Sequence, residues 1–220
     1  MMLTKFGHSC VRLEKDGRSL VIDPGNFSDV EAALDGCDAI LVTHEHADHI
    51  DPDRVLPWLD AAEAAELHAP DSVVRQLRSH GAVGGAGHRI RAVEPESSLS
   101  VAGFDIRTFG GQHALIHPRV RIVDNVGYLI DGNVYHPGDS FVVPHGAEVR
   151  TLLVPLHAPW SKTAEVIDFV VSVRAGRAFP IHDALLNERG ISVAEKHVGF
   201  FGAAYGTDYQ RWGSGETREV

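Results

Sequence analysis

The sequence predicts an α/β fold of the α+β kind, in which two β-sheets pack face to face beneath outer helices. Three observations carry that expectation. Strand-like segments fall into two groups, each followed by helix-like segments. Both groups contain a hairpin signal, which a purely parallel, doubly wound sheet would lack. Several short runs are apolar throughout, as strands buried on both faces must be.

In "MLTKFGHSCVRLEKDGRSLVID" apolar and polar residues alternate on both sides of Asp16-Gly17, so the chain begins with antiparallel strands. "DAILVT" (38–43) reads as a buried strand and "DPDRVLPWLDAAEAA" as a helix. Asp51 is placed to cap that helix with Pro52 at its first position, and Pro57 to kink or shorten it. A weak strand at "AELHAP" precedes a second helix, "DSVVRQLRSHG", opened by Asp71 or Ser72. Strands run from "HRIRAV" through "FDIRTFGG", and "VGYLIDGNVYHPGD" is a hairpin turning at Asp131-Gly132-Asn133. "VRTLLVPL" is another buried strand, "KTAEVIDFVVSVRAG" an amphipathic helix ended by Gly176, and "RAFPIH" a late strand. A final helix near "SVAEKHVGFFGAA" leads into a polar tail.

The 220 residues suit one domain spanning 1–220. With 20 basic against 30 acidic residues and a formal charge of -10, the surface repels polyanions. This argues against nucleic acid or an anionic membrane as partner and for a small-molecule substrate, with a homo-oligomer left open. No signal-peptide pattern and no run near the ~20 apolar residues of a spanning helix is found, so the expected location is cytoplasmic. Cys10 and Cys37 are too few for a disulfide framework and wrongly spaced for a thiolate zinc knuckle. Any metal must therefore rely on nitrogen and oxygen.

Fourteen histidines are the one compositional oddity, and three stand in "THEHADH" at 43–49. His44 and His46, two apart in an extended segment, project to the same side and can grip one ion, while Glu45 and Ala47 point away. Asp48 and His49 follow where the chain bends, facing a second ion. Further ligands must arrive from other strand ends, where His113, Asp139 and His182 stand in "GGQHALIHP", "HPGDS" and "PIHD".

"THEHADH", a later loop histidine, "HPGDS" and a late strand-end histidine, in that order from Asp23 to His182, resemble the metallo-β-lactamase superfamily. More narrowly, "FGHSCVRLE", "IDPG", "HPGDS" and "PLHAPW" resemble its small stand-alone metal-dependent hydrolases, including the ascorbate-phosphate lactonase-like branch. The resemblance implies a four-layer αββα sandwich. It also implies that His44, His46 and His113 hold one cation, that Asp48, His49 and His182 hold a second, that Asp139 bridges them, and that Asp23 braces the histidine loop. The cofactors expected are two divalent metal ions, zinc first, with manganese or iron as alternatives.

Among the other histidines, His117 competes with His113 for the third-ligand role, but it precedes Pro118 and reads better as a pocket or loop residue. His136 shapes the turn before Asp139, and His8, His145 and His157 either line the cleft, pack or face solvent. Trp160 and Lys162 in "PWSK" suggest an aromatic wall and an anion-binding ammonium, against the plainer reading of a helix start with an exposed lysine.

Two divalent ions, two aspartates and a bound hydroxide leave about one net positive charge, suited to polarised or anionic oxygen groups. The expected activity is a metal-dependent hydrolase whose dinuclear-metal-bound hydroxide cleaves a small ester, lactone or phosphodiester. Asp48 would steer that hydroxide and pass a proton to the leaving group. The resemblance implies that nuclease members carry an insertion between Asp139 and His182, that hydroxyacyl-glutathione hydrolases carry a C-terminal helical domain, and that some zinc β-lactamases use a thiolate. None of these features is read here. The alternatives are an iron-dependent redox or oxygen-handling member and a non-catalytic metal-binding scaffold.

Overall fold

In the computed structural model, which describes residues 1–220, fourteen strands form two mixed sheets of seven. The first opens as an antiparallel meander of β1 (Met2–Gly7), β2 (Cys10–Lys15) and β3 (Arg18–Ile22). Asp16 and Gly17 both take positive φ in the second turn, the geometry a tight hairpin requires. After α1 (Val30–Leu34), the strands β4 (Ala39–Leu41), β5 (Glu66–Ala69) and β6 (Ile90–Ala92) add in parallel. Helices α2 (Pro52–Ala61) and α3 (Asp71–Arg78) make the crossovers.

The second sheet repeats this plan. Strands β7 (Ser98–Val101), β8 (Phe104–Gly110), β9 (Val126–Ile130) and β10 (Val134–His136) are antiparallel. Strands β11 (Thr151–Pro155), β12 (Arg177–Ile181) and β13 (Asp208–Tyr209) follow in parallel around α4 (Thr163–Val173) and α5 (Glu188–Ala204). The chain then returns to the first sheet, where β14 (Thr217–Glu219) pairs antiparallel with β1.

Side-chain alternation explains why the central strands carry apolar residues on both faces. Leu20, Ile22, Ala39 and Leu41 face Tyr128, Ile130, Leu153 and Phe179 between the sheets. Val21 and Ile40 point the other way, under Val30, Leu34, Val55 and Leu59 of the first helical layer. Leu152, Val154 and Ala178 pack beneath Val166, Phe169, Val170 and Val198 of α4 and α5. Three apolar interfaces thus bind four layers, helices–sheet–sheet–helices.

Several boundaries differ from the sequence reading for identifiable reasons. β4 stops at Leu41 rather than Thr43, because the Thr43 N–H is taken by the Asp23 carboxylate and its carbonyl by the Val126 N–H of the other sheet. Asp51 stands at the N-cap of α2 but pairs with Arg54 at 3.2 Å instead of capping. Neither Asp71 nor Ser72 caps α3: Pro70 holds that position and Asp71 pairs with Arg75. Helix α4 ends at Val173 on Arg174, which takes the left-handed conformation (φ +55) expected of Gly176. Asn187 caps α5 through its side chain, so the helix starts four residues before the expected segment. The polar tail supplies the edge strands β13 and β14, whose few residues carry almost no periodicity.

Candidate metal centre

The site lies where the connections after β1, β3, β4, β8, β10 and β12 meet. At its base is Asp23, fully buried at the end of β3. One carboxylate oxygen accepts from the Thr43 N–H at 2.7 Å; the other accepts from the Thr43 hydroxyl and from His49 Nδ1–H, each at 2.7 Å. The same loop makes a close backbone approach: a Cβ on Gly25 would lie 1.9 Å from the Asp48 carbonyl oxygen. Asp23 and the histidine loop are therefore locked together before any ligand is considered.

Hydrogen bonds to the outer ring nitrogens set the tautomers of four histidines. His49 Nδ1 donates to Asp23, His113 Nδ1 to the Ala114 carbonyl at 2.6 Å, and His182 Nδ1 to the His157 carbonyl at 2.7 Å. The Thr43 hydroxyl has spent its proton on Asp23, so it accepts from His44 Nδ1 at 3.0 Å. All four rings then turn Nε2 inward.

Inside, two clusters form. His44, His46, His113 and Asp139 offer ligand atoms that all lie within 4.8 Å of one another, and so do those of His8, Asp48, His49 and His182. Asp139 lies between the two groups, its Oδ2 3.3 Å from His113 Nε2 and 3.1 Å from His182 Nε2, its Oδ1 3.1 Å from His49 Nε2. Yet His49 Nε2, His113 Nε2, His182 Nε2 and Asp139 Oδ1 are buried without a properly aligned hydrogen bond. Atoms this close and this misaligned converge on common points rather than on each other, and buried unpartnered polar atoms are costly. Nitrogen and carboxylate donors converging in this way fit divalent cations.

The electrostatics agree. Burial and the neighbouring His49 charge hold His44 well below its ordinary pKa, and burial also depresses His46 and His8. Burial alone would raise the carboxyls of Asp48 and Asp139; the close approach of His182 and the hydrogen bond from His8 hold Asp48 well below the carboxylate range, and the His49 charge does so for Asp139. Burial likewise opposes a charge on His49 and His182, but Asp139 and Asp23 hold His49 well above its usual value, and the carboxylates of Asp139 and Asp48 close to its ring push His182 up to about 9. The carboxylates require compensating positive charge, which ring protons supply when no cation does.

Backbone strain collects here too. His8, Asp23 and His182 all take positive φ (+42, +54 and +55), at about 1–2 kcal/mol each. Of the sequence candidates, His44, His46, Asp48, His49, His113, Asp139, His182 and Asp23 are all brought together. His117 is exposed, its Nδ1 accepting from the Arg119 N–H, and His145 is exposed. His136 is buried, bonded to the Ser9 carbonyl and the Gly138 N–H. His157 contributes its carbonyl rather than its ring. Lys162 is exposed, its ammonium 3.7 Å from the Glu165 carboxylate.

The sequence suggested Trp160 only as an aromatic wall, without its bond to Asp139, and it did not point to Asn125. Trp160 Nε1–H donates to Asp139 Oδ2 at 3.0 Å, with its ring edge-on to His113. Asn125 is fully buried, accepting from the Asp139 N–H at 3.0 Å and donating to the Pro137 carbonyl at 2.9 Å. A tryptophan and an asparagine in loops have no periodic signature. Only their contacts reveal them.

Comparison with known proteins places this arrangement in a family. The profile described as "Beta-lactamase superfamily domain" matches residues 2–182. Protein Rv0786c of Mycobacterium tuberculosis is 39% identical over 198 residues, covering 87% of this chain and 89% of its own. A "UPF0173 metal-dependent hydrolase" of Xanthobacter autotrophicus is 30% identical, with 72% and 68% covered. Among solved structures, the metallo-beta-lactamase fold protein YhfI from Bacillus subtilis superposes with a TM-score of 0.73 at 17% identity, covering 100% of this chain and 99% of that one. By sequence and by fold, the chain belongs to the beta-lactamase superfamily and, within it, to the UPF0173 group.

Proposed function

We propose that this chain is a metal-dependent hydrolase that adds water across the acyl C–O bond of a small carboxyl ester or lactone, with phosphodiesters as the second substrate class. The observation that carries the reading is the inward convergence of unpartnered histidine Nε2 atoms on Asp139. The name of the Xanthobacter relative agrees with it. His44, His46 and His113 would hold one cation, Asp48, His49 and His182 the other, with Asp139 shared. Zinc suits this nitrogen-and-oxygen set. When bound, such a pair of cations supplies Lewis acidity and lowers the pKa of water toward neutrality.

The chain's own groups account for the proton traffic. The Asp48 side chain is 22% exposed, whereas that of Asp139 is 3% exposed, so Asp48 is the carboxylate that faces the mouth. It takes a proton from the attacking water and returns it to the departing oxygen, while the hydroxyl joins the carbonyl carbon. Asp139, fixed by Trp160 and Asn125, stays ionised. Apolar side chains stand exposed beside the site: Phe27 edge-on to His8, Leu115 and Ile116 just after His113, and Leu185 just after His182. Such a rim favours a substrate with a hydrocarbon portion, which ranks carboxyl esters and lactones above phosphodiesters. The acidic surface supports a small-molecule substrate rather than nucleic acid, and the two buried, unpaired cysteines support a reducing, cytoplasmic location.

The test combines metal analysis of protein purified without added ions with a screen of zinc-, manganese- and iron-reconstituted protein. Lactones, carboxyl esters, bis(p-nitrophenyl) phosphate and a β-lactam form the panel. Turnover of an ester or lactone is expected, with Asp48→Asn retaining metal and losing about 100-fold or more in kcat. Silence across the panel at every metal loading would refute the hydrolase reading.

A further inference from the structure

His8 is grouped by distance with Asp48, His49 and His182, as though it were a fourth ligand for one cation. Its surroundings assign it a different task. It stands in the turn between β1 and β2, just after the pairing register shifts between Lys5 and Gly7, and it is 2% exposed. Phe27 lies edge-on to its ring at 5.3 Å and His182 tilts against it at 4.0 Å. The backbone N–H of Ala184 points at His8 Nδ1 from 3.3 Å.

A backbone amide can only donate, so His8 Nδ1 must accept, and the ring proton must sit on Nε2. That Nε2 is 3.2 Å from Asp48 Oδ2 and donates to it. His44, His49, His113 and His182 do the opposite, donating from Nδ1 and turning Nε2 toward the centre of the site. A doubly protonated His8 would set two donors against each other at Ala184, and a ring with bare Nε2 would set two acceptors against each other at Asp48.

We propose that His8 is a positioning residue that donates its Nε2 proton to Asp48 Oδ2 and is not itself a cation ligand. One oxygen of Asp48 is thereby fixed, and the carboxylate presents a single face to the mouth. The turn that carries His8 is coupled to the other side of the site, since the His8 carbonyl accepts from the His182 N–H at 3.1 Å and Ala184 follows two residues later. This inference rests on the hydrolase reading for the task of Asp48, but its test does not depend on turnover.

The experiment is long-range 1H–15N NMR of the full chain with labelled histidine, metal-free and zinc-loaded, with the His8 signals assigned from their loss in His8→Gln. The expected result is a protonated Nε2 and a bare Nδ1 in both states. Loss of the Nε2 proton on zinc loading, or a proton on Nδ1, would overturn the proposal. In parallel, His8→Ala is expected to bind as much zinc at saturation as the wild type and to lose about 10- to 100-fold in kcat with little change in KM, and His8→Gln, which retains a donor, to recover most of it. A one-equivalent loss of zinc in both variants would make His8 a ligand and overturn the proposal. Should His8→Ala fail to fold, the wild-type spectra still decide. If wild-type protein took up no zinc, the hydrolase reading would fall, while the metal-free spectrum would still report the His8 tautomer.

Discussion

Asp23 makes three hydrogen bonds inside a dry pocket, and what it holds is geometry rather than stability alone. Asp23→Ala leaves the Thr43 N–H and His49 Nδ1–H buried without acceptors, at about 2–4 kcal/mol for the two groups. It also frees the His49 ring, so cation affinity should fall about 10- to 100-fold. Denaturant unfolding and chelator competition would check both, and unchanged affinity would separate Asp23 from the site. Trp160→Phe retains the ring and removes the N–H that reaches Asp139. A loss of about 10-fold or more in cation affinity or kcat is expected, with the fold intact by circular dichroism. These two positions mark how far the sequence could be read. The crowding of His44, His46, Asp48 and His49 is visible because the spacing sets the direction of each side chain. Trp160 and Asn125 act through loop conformations that no local pattern encodes, and the task of His8 depends on an amide 176 residues away.

At the scale of elements, the site depends on loops that touch along their backbones. Gly25 is the tightest point, because any Cβ there meets the Asp48 carbonyl and the His49 nitrogen. Gly25→Ala should therefore destabilise the protein by about 1–3 kcal/mol and displace the histidine loop. The readouts are the melting temperature and metal stoichiometry; a neutral effect would show that the loops can part. Central strands were legible as continuous apolar runs because each is covered on both faces, Leu152 and Leu153 packing into different layers. The Asp16-Gly17 and Asp131-Gly132 hairpins were legible because both turns require positive φ. The C-terminal end of α4 and the short strands β13 and β14 were not. There, tertiary pairing rather than local preference decides the conformation, and Arg174 adopts the backbone that glycine would take more cheaply.

Across the whole molecule, proton binding and cation binding compete at one place. Without cations, His182 titrates near 9, above its value in an unfolded chain. Its contribution to stability is then fully present below about pH 6.5 and is lost as pH rises through 9. Asp48 and Asp139, held low, contribute above about pH 4 and lose that contribution under acid. Chelated protein should thus lose melting temperature between pH 7 and 9, whereas loaded protein should not, because the cation replaces the ring proton. Cation uptake should release protons, with affinity rising from pH 6 to 9. Calorimetry in buffers of different ionisation enthalpy would measure that release, and uptake without protons would contradict the assignment.

Anomalous diffraction from crystals of zinc-loaded protein tests the central claim most directly. Two peaks are expected, one among His44, His46, His113 and Asp139, the other among Asp48, His49, His182 and Asp139. A single peak elsewhere, or none at full zinc loading, would contradict the account.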